Sequence, residues 1–347
     1  MAAALPLPAE AISAKSAILM DGNTGRILYE KNADSQSLIA STTKIMTALI
    51  VCEQCNVLDR MRIPKEAVGI EGSSIYLQEG EVLTIQDLLY GMMLHSGNDA
   101  ATALAIYCSG TVAGFAELMN DKAASLGMEN SHFVNPHGLD APDHYSTAAD
   151  LAILSVEAMK NPIFAATVSA KSVSAGNRRL TNHNKLLWRV EGANGVKTGY
   201  TKAAGRILVS GAKRDGRQLI AVTIDAPNDW NDHTTMLEDG FARYTQQQLI
   251  HKGDVLGTVE VAWGTNEMVS LVASQDFFWA MAQGELISVE LPGNGFVYAP
   301  VSQGQFAGNA HILVDGEKVG TIELEYGCTV ELIREQSRSI WKRLLGG

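Results

Sequence analysis

The sequence predicts an α/β chain, with an antiparallel sheet flanked by helices, a helical subdomain, and a small all-β domain after it. Three observations carry this. Two hairpin patterns lie far apart, over residues 16–30 and 206–224. Between them, residues 44–159 repeatedly show apolar residues at helical spacing. Past about residue 246 the texture changes to short strands separated by turn residues.

At 347 residues the chain is long enough for two domains. It is 46% hydrophobic and 19% charged, as a globular protein is, and its net charge of −11 argues against nucleic acid as a partner. No apolar run reaches membrane-spanning length. Residues 1–13 lack the positive start and long apolar core of a signal peptide and read as a short leader or remnant. That fits either a cytosolic protein or a mature domain behind a leader. Cys52 and Cys55 fall within one expected helix and have no second pair at zinc spacing. Both are expected to be small core residues, and no cysteine framework is expected.

The first hairpin turns at Asp21-Gly22-Asn23-Thr24-Gly25. Next comes a buried helix with a polar mouth, Ser41-Thr42-Thr43-Lys44, ahead of Ile45, Met46, Ala48, Leu49 and Ile50. Ser41 and Lys44, three apart, share one helix face. A serine hydroxyl becomes a nucleophile when a base takes its proton, and a lysine is such a base once burial or a nearby cation depresses its pKa. By itself the pattern more often marks a capped helix start with a solvated lysine.

Short strands are expected around residues 61–64 and 82–85. The helical pattern over residues 85–108 breaks at His95-Ser96-Gly97-Asn98-Asp99, either a turn with a cap or a loop aiming a hydroxyl and a carboxamide into a cleft. Helices are expected over residues 115–126 and 148–159. The loop between them, residues 131–147, holds His132, His137 and His144 without the spacing or glutamate of a zinc peptidase, so packing is favoured over metal. Lys197-Thr198-Gly199 then opens onto a strand, where the glycine lets a ligand approach the backbone. Residues 206–212 and 218–224 form the second hairpin, and one sheet from residues 1–30 and 196–224 is expected, with the Ser41 helix behind it.

Each of these motifs is weak alone; together and in this order they are specific. Ser41-x-x-Lys44, Ser96-Gly97-Asn98 and Lys197-Thr198-Gly199 resemble the three motifs of penicillin-binding proteins and class A β-lactamases. From about Ala14 to the end the chain resembles the low-molecular-mass penicillin-binding proteins, the serine D-alanyl-D-alanine carboxypeptidases. Asp21 to Gly25, Ser96 to Ala100, His144-Tyr145-Ser146-Thr147 and Lys197 to Thr201 carry the likeness.

The resemblance implies a transpeptidase-like catalytic domain over residues 14–246 and a β-rich domain over residues 247–330. It implies Ser41 as acyl-ester nucleophile, Lys44 as general base, Ser96 as proton relay, and Asn98 bonding Lys44 and the substrate amide. Lys197 and Thr198 would hold the substrate carboxylate, with Gly199 beside them in the substrate-binding strand, and the amides of Ser41 and Tyr200 would form the oxyanion hole. The implied partners are peptidoglycan stem peptides ending in D-Ala-D-Ala and β-lactam antibiotics, with no cofactor or metal, outside the cytoplasmic membrane. Gly97 matches the carboxypeptidase group, where transpeptidases and class A β-lactamases carry Asp. Residues 131–147 show no Glu-x-x-Leu-Asn element for deacylation, so slow release of penicillin is expected. Ile207 departs from the small residue common in relatives. A β-lactamase or D,D-endopeptidase of the same fold, or a non-catalytic β-lactam-sensing or wall-binding protein, are the alternatives.

The all-β domain carries none of the motifs and is expected to support, orient or bind something else. In the tail, residues 331–347, Arg334, Arg338 and Lys342 form a basic stripe opposite Ile333, Ile340, Trp341, Leu344 and Leu345. This amphipathic pattern suits a membrane surface and equally a helix packed on the β domain. The resemblance favours the membrane, and the Gly346-Gly347 ending suggests a segment cut short.

Overall fold

The computed structural model describes residues 11–293 and 295–333. The chain divides into two compact units, meeting in sequence between Arg243 and Tyr244. The leader expected over residues 1–13 lies outside the described residues up to residue 10, and the tail from residue 334.

The first unit begins with β1 (Ser16–Asp21) and β2 (Ile27–Lys31), followed by a 3-10 turn, Ala40–Thr43, and α1 (Lys44–Gln54). A ribbon of β3 (Arg60–Arg62) and β4 (Val82–Thr84) leads to α2 (Ile85–Leu94), α3 (Asn98–Ser109) and α4 (Val112–Ser125). Then come α5 (Ala148–Lys160), α6 (Pro162–Ser169), and the ribbon β5 (Ser172–Ala175) with β6 (Arg178–Thr181). The unit closes with β7 (Ala193–Thr201), β8 (Gly205–Arg214), β9 (Arg217–Ile224) and α7 (Asp229–Arg243). The expected sheet is present: five strands in the order β2-β1-β9-β8-β7, antiparallel throughout.

Its inner strands β1, β8 and β9 carry nearly continuous buried runs because both faces are covered. Ile18, Met20, Ile220, Val222 and Ile224 point into a core shared with α1 and α5. Alternate residues Ala17, Leu19, Leu219 and Ala221 face Met236 and Leu237 of α7. The period-two alternation thus divides one apolar run between two cores. α6, the β5–β6 ribbon and α7 fall in segments for which no elements were expected.

Two of the motifs that carried the resemblance act as scaffolding. Asp21 Oδ1 accepts hydrogen bonds from the amides of Asn23 and Thr24, shaping the hairpin turn, while its Oδ2 accepts one from Arg217 Nε at 2.6 Å in a buried ion pair. Thr147 caps α5 by accepting from the Asp150 amide.

One expectation is corrected. Cys55 is not a core thiol inside the helix: it stands just past the end of α1 and forms a disulfide with Cys108 near the end of α3. These helices pack side by side, a proximity that spacing in sequence does not reveal. Cys52 is buried and free, and burial pushes its thiol up to about 12.

The second unit consists of β10 (Tyr244–Ile250), β11 (Val255–Ala262), β12 (Met268–Ala273), β13 (Phe277–Ala282), β14 (Ile287–Glu290), β15 (Phe296–Tyr298), β16 (Phe306–Val314) and β17 (Glu317–Tyr326). Six strands form a sheet in the order β14-β16-β17-β12-β11-β15, and β10 pairs with β13. Alternation along β16 and β17 places Ala310, Ile312, Ile322 and Leu324 in its core. No single helix among the described residues is long and apolar enough to cross a membrane.

Candidate active site

Ser41 lies in the 3-10 turn and Lys44 is the first residue of α1, so the tight turn and the first helical turn present both side chains to one point. Lys44 Nζ is 2.9 Å from Ser41 Oγ, 2.7 Å from Asn98 Oδ1 and 2.6 Å from the carbonyl oxygen of His137. The last two are acceptors only. A neutral amine has two N–H bonds to give them and one lone pair left, which then faces the Ser41 hydroxyl. Asn98 is held oxygen-inward because its Nδ2 donates to the carbonyl of Glu71 at 2.6 Å.

Lys44 is fully buried, and its pKa is lowered well below the usual lysine value, first by burial and then by the charge of Lys197. Lys197 is buried as well, donates to the carbonyl of Thr198 at 2.9 Å, and is pushed down to about 7 by burial. Two ammonium groups sharing one dry region resist being charged together.

Ser96, with φ +63 in the left-handed region, sits between α2 and α3. Backbone strain at such a residue persists only where the surroundings hold it, here the Gly97 amide donating to Gly91 O and the Asn98 amide to Ser73 O. Asp99 is buried next to it and gathers the amides of Ile75 and Leu77 and the Ser74 hydroxyl, tying down the facing loop. Ser41, Ser96, Thr198, Gly199 and Tyr200 line one cavity of about 390 Å³. A Cβ on Gly199 would stand 3.3 Å from the amide nitrogens of both Ser41 and Thr42. Only glycine leaves the space before the Ser41 amide open.

All eight residues singled out in the sequence are therefore gathered at one place. The structure adds partners that sequence motifs do not mark. The His137 carbonyl reaches Lys44 because Gly138, at φ +87, packs against the Ala40 carbonyl, where a Cβ would come within 1.8 Å. His144 Nδ1 accepts from the Val134 amide, so Nε2 carries the proton and donates to Thr43 Oγ1 at 2.8 Å. Of the loop's three histidines it is His144 whose ring braces the Ser41 turn, while the His132 ring bonds the Asp143 carbonyl of its own loop. Arg206 and Asp229 also line the cavity, joined through Arg206 Nη2 at 2.8 Å to each carboxylate oxygen.

This geometry has counterparts. Residues 2–228 match the D-alanyl-D-alanine carboxypeptidase family of peptidases. The chain belongs to that family. Residues 244–332 match the C-terminal domain of penicillin-binding protein 5. The D-alanyl-D-alanine carboxypeptidase DacF of Bacillus subtilis is 34% identical over 320 residues, 88% of this chain and 82% of that protein. DacD of Escherichia coli is 34% identical over 339 residues, 92% of this chain and 84% of its own length. Penicillin-binding protein 5 from Haemophilus influenzae superposes with a TM-score of 0.82 at 30% identity, covering 94% of this chain and all of that one. The protein is thus a low-molecular-mass penicillin-binding protein and a serine hydrolase of the carboxypeptidase type.

Proposed function

We propose that the protein removes the terminal D-alanine from peptidoglycan stem peptides through an acyl-enzyme on Ser41. The observation that carries this reading is the contact set of Lys44 Nζ: a nucleophile's oxygen at 2.9 Å and two fixed acceptors, in a site that depresses its pKa.

Ser41 Oγ attacks the carbonyl carbon between the two D-alanines, and its proton passes to Lys44 Nζ. The amides of Ser41 and Tyr200 receive the developing oxyanion; losing one such donor costs about 3–4 kcal/mol in comparable sites. As the C–N bond breaks, Ser96 relays a proton to the leaving amine, while Asn98 holds Lys44 and the substrate amide. Lys197 and Thr198 receive the terminal carboxylate, and Gly199 leaves room beside the Ser41 amide. Water then attacks the ester and gives its proton to Lys44, which passes it to Ser41 Oγ as the C–O bond breaks, so that the shortened peptide leaves and both groups return to their starting state. A β-lactam presents the same acyl bond. Its leaving amine stays tethered after ring opening, so the ester outlives the one formed from peptide.

The substrate assigns the protein to the outer side of the cytoplasmic membrane. The basic amphipathic sequence of residues 331–347 supports association with that surface. Residues 14–246 are the catalytic part in this reading, and residues 247–330 bind or position.

Incubation with a D-Ala-D-Ala peptide should release D-alanine, and Ser41→Ala should abolish it. A fluorescent penicillin should label Ser41 and stay bound. Rapid penicillin turnover without D-alanine would replace this reading with a β-lactamase.

A further inference from the structure

The second unit carries an aromatic platform that the carboxypeptidase chemistry leaves unused. β15 is an edge strand, paired in parallel with β11 so that Glu260 stands beside Phe296 and Ala262 beside Tyr298. On its other side Glu260 pairs with Met268 of β12. Period-two alternation puts Met268, Glu260 and Phe296 in one row across three strands, with Tyr298 in the next row on the same face. Phe296, Tyr298 and the adjoining Trp263 are 51%, 57% and 69% exposed, where rings of this size usually bury most of their surface. Their centroids are 5.1 Å apart from Trp263 to Tyr298 and 5.1 Å from Tyr298 to Phe296.

Trp263 is held in place. Its φ is +59, a conformation that bulky residues avoid, and its carbonyl accepts a hydrogen bond from the Ile333 amide at 2.8 Å. Beside the rings a recess of about 490 Å³ is lined by Phe296 and Met268 together with the carboxylate residues Glu260 and Glu267.

We propose that this face binds a glycan chain of neutral N-acetylated amino sugars. The apolar C–H faces of a pyranose ring match exposed aromatic rings, whose faces carry partial negative charge. Sugar hydroxyls and acetamido N–H groups are donors, and Glu260 and Glu267 supply ionised acceptors next to the rings. The same carboxylates disfavour a membrane occupant, since anionic lipid headgroups would be repelled and carboxylates resist transfer to the interface. The platform, not the acyl-transfer site, carries this assignment. The glycan class also suits the substrate proposed above, whose stem peptides are borne on such a polymer.

The test uses the full chain and an insoluble polymer of N-acetylglucosamine, which is neutral and bears no stem peptide, so that the Ser41 cavity has nothing to hold. Retention is expected, and Trp263→Ala and Tyr298→Ala should each weaken it on the order of tenfold or more. Trp263→Phe should restore most of the binding, and D-alanine release from a soluble peptide should stay at wild-type rate in all three. Soluble N-acetylglucosamine oligomers should compete. Lack of retention, or retention that survives both alanine variants, overturns the proposal. So does a result in which these aromatics instead govern binding to vesicles of phosphatidylcholine and phosphatidylglycerol. Platform-dependent glycan binding without D-alanine release would uphold this inference while removing the carboxypeptidase reading.

Discussion

The two units solve opposite problems with polar and apolar groups. The sheet-and-helix unit puts polarity inside: Lys44, Lys197, Asn98, Asp99, Asp21, His144 and His233 are all buried, each with hydrogen-bond partners. Among the described residues of the all-β unit, the buried side chains are apolar or tyrosine, and three of its aromatic residues, Trp263, Phe296 and Tyr298, are set on the surface at one edge. Buried polar groups must be satisfied or they cost stability, and in return their geometry and pKa become controllable. Exposed rings give up burial and gain a surface that recognises something else. On the proposals made above, one unit is built to react and the other to hold.

The sharpest way to break this contrast is at Lys44. Lys44→Ala should lower D-alanine release on the order of 10⁴-fold, since nucleophile and base act as one device. Circular dichroism should still report a folded chain, because α1 is anchored by Ile45, Met46, Leu49 and Ile50 in the core. An active Lys44→Ala variant would mean that the base lies elsewhere.

Acid should separate the units next. His144 and His233 are pushed down by burial to about 4 and about 3, His233 lying between the hydroxyls of Ser210 and Thr223. Both rings stay neutral in the folded chain at pH values where the unfolded chain takes up protons, near 6.5 and below. Their effect on stability is therefore absent above about pH 7, and stability falls as pH drops from about 6.5 toward 4, by on the order of 3 kcal/mol per ring. Residues 11–243 should lose structure in that window and residues 244–333 should persist, giving two steps in an acid titration followed by limited proteolysis. A single step would show the units to be one cooperative block.

Reduction gives a third, smaller handle. Cys55 and Cys108 are 53 apart in sequence, and closing a loop of that length stabilises by about 4 kcal/mol in the chain-entropy account. Cys55→Ser with Cys108→Ser should lower the melting temperature of the catalytic unit. At temperatures where the chain is still folded, kcat should be unchanged, because the bridge lies at the far ends of α1 and α3.

What could be read in the sequence follows from what chemistry fixes locally. Ser41 and Lys44 must be one helical turn apart, and the glycine of Lys197-Thr198-Gly199 must leave the Ser41 amide uncovered, so these leave marks at fixed spacing. The sheet was legible because its inner strands β1, β8 and β9 are apolar runs ended by turn residues. The carbonyls of His137 and Glu71 that aim Lys44 and Asn98 carry no residue signature, since every residue has a carbonyl. Gly138 was the available hint. The Cys55–Cys108 bridge and the Arg206–Asp229 pair depend on which elements pack together, information that lies in the fold. The aromatic platform escaped notice for a related reason: Trp263 and Tyr298 become neighbours only through the parallel pairing of β11 with β15.

The finest test lies inside the polar unit and asks whether its two buried lysines are coupled. Lys197 contributes to lowering the pKa of Lys44. Lys197→Ala removes that charge, so Lys44 should hold its proton to higher pH, and the acid limb of the kcat profile should move upward. The same variant loses a charged partner for the substrate carboxylate, which should lower kcat/KM about 10- to 100-fold at the pH optimum. The two effects separate on a peptide amidated at its C-terminus, which offers no carboxylate. On it the loss in kcat/KM should shrink while the shift of the acid limb remains. If the limb stays where it is on both substrates, burial alone sets the Lys44 pKa, and Lys197 serves only to bind.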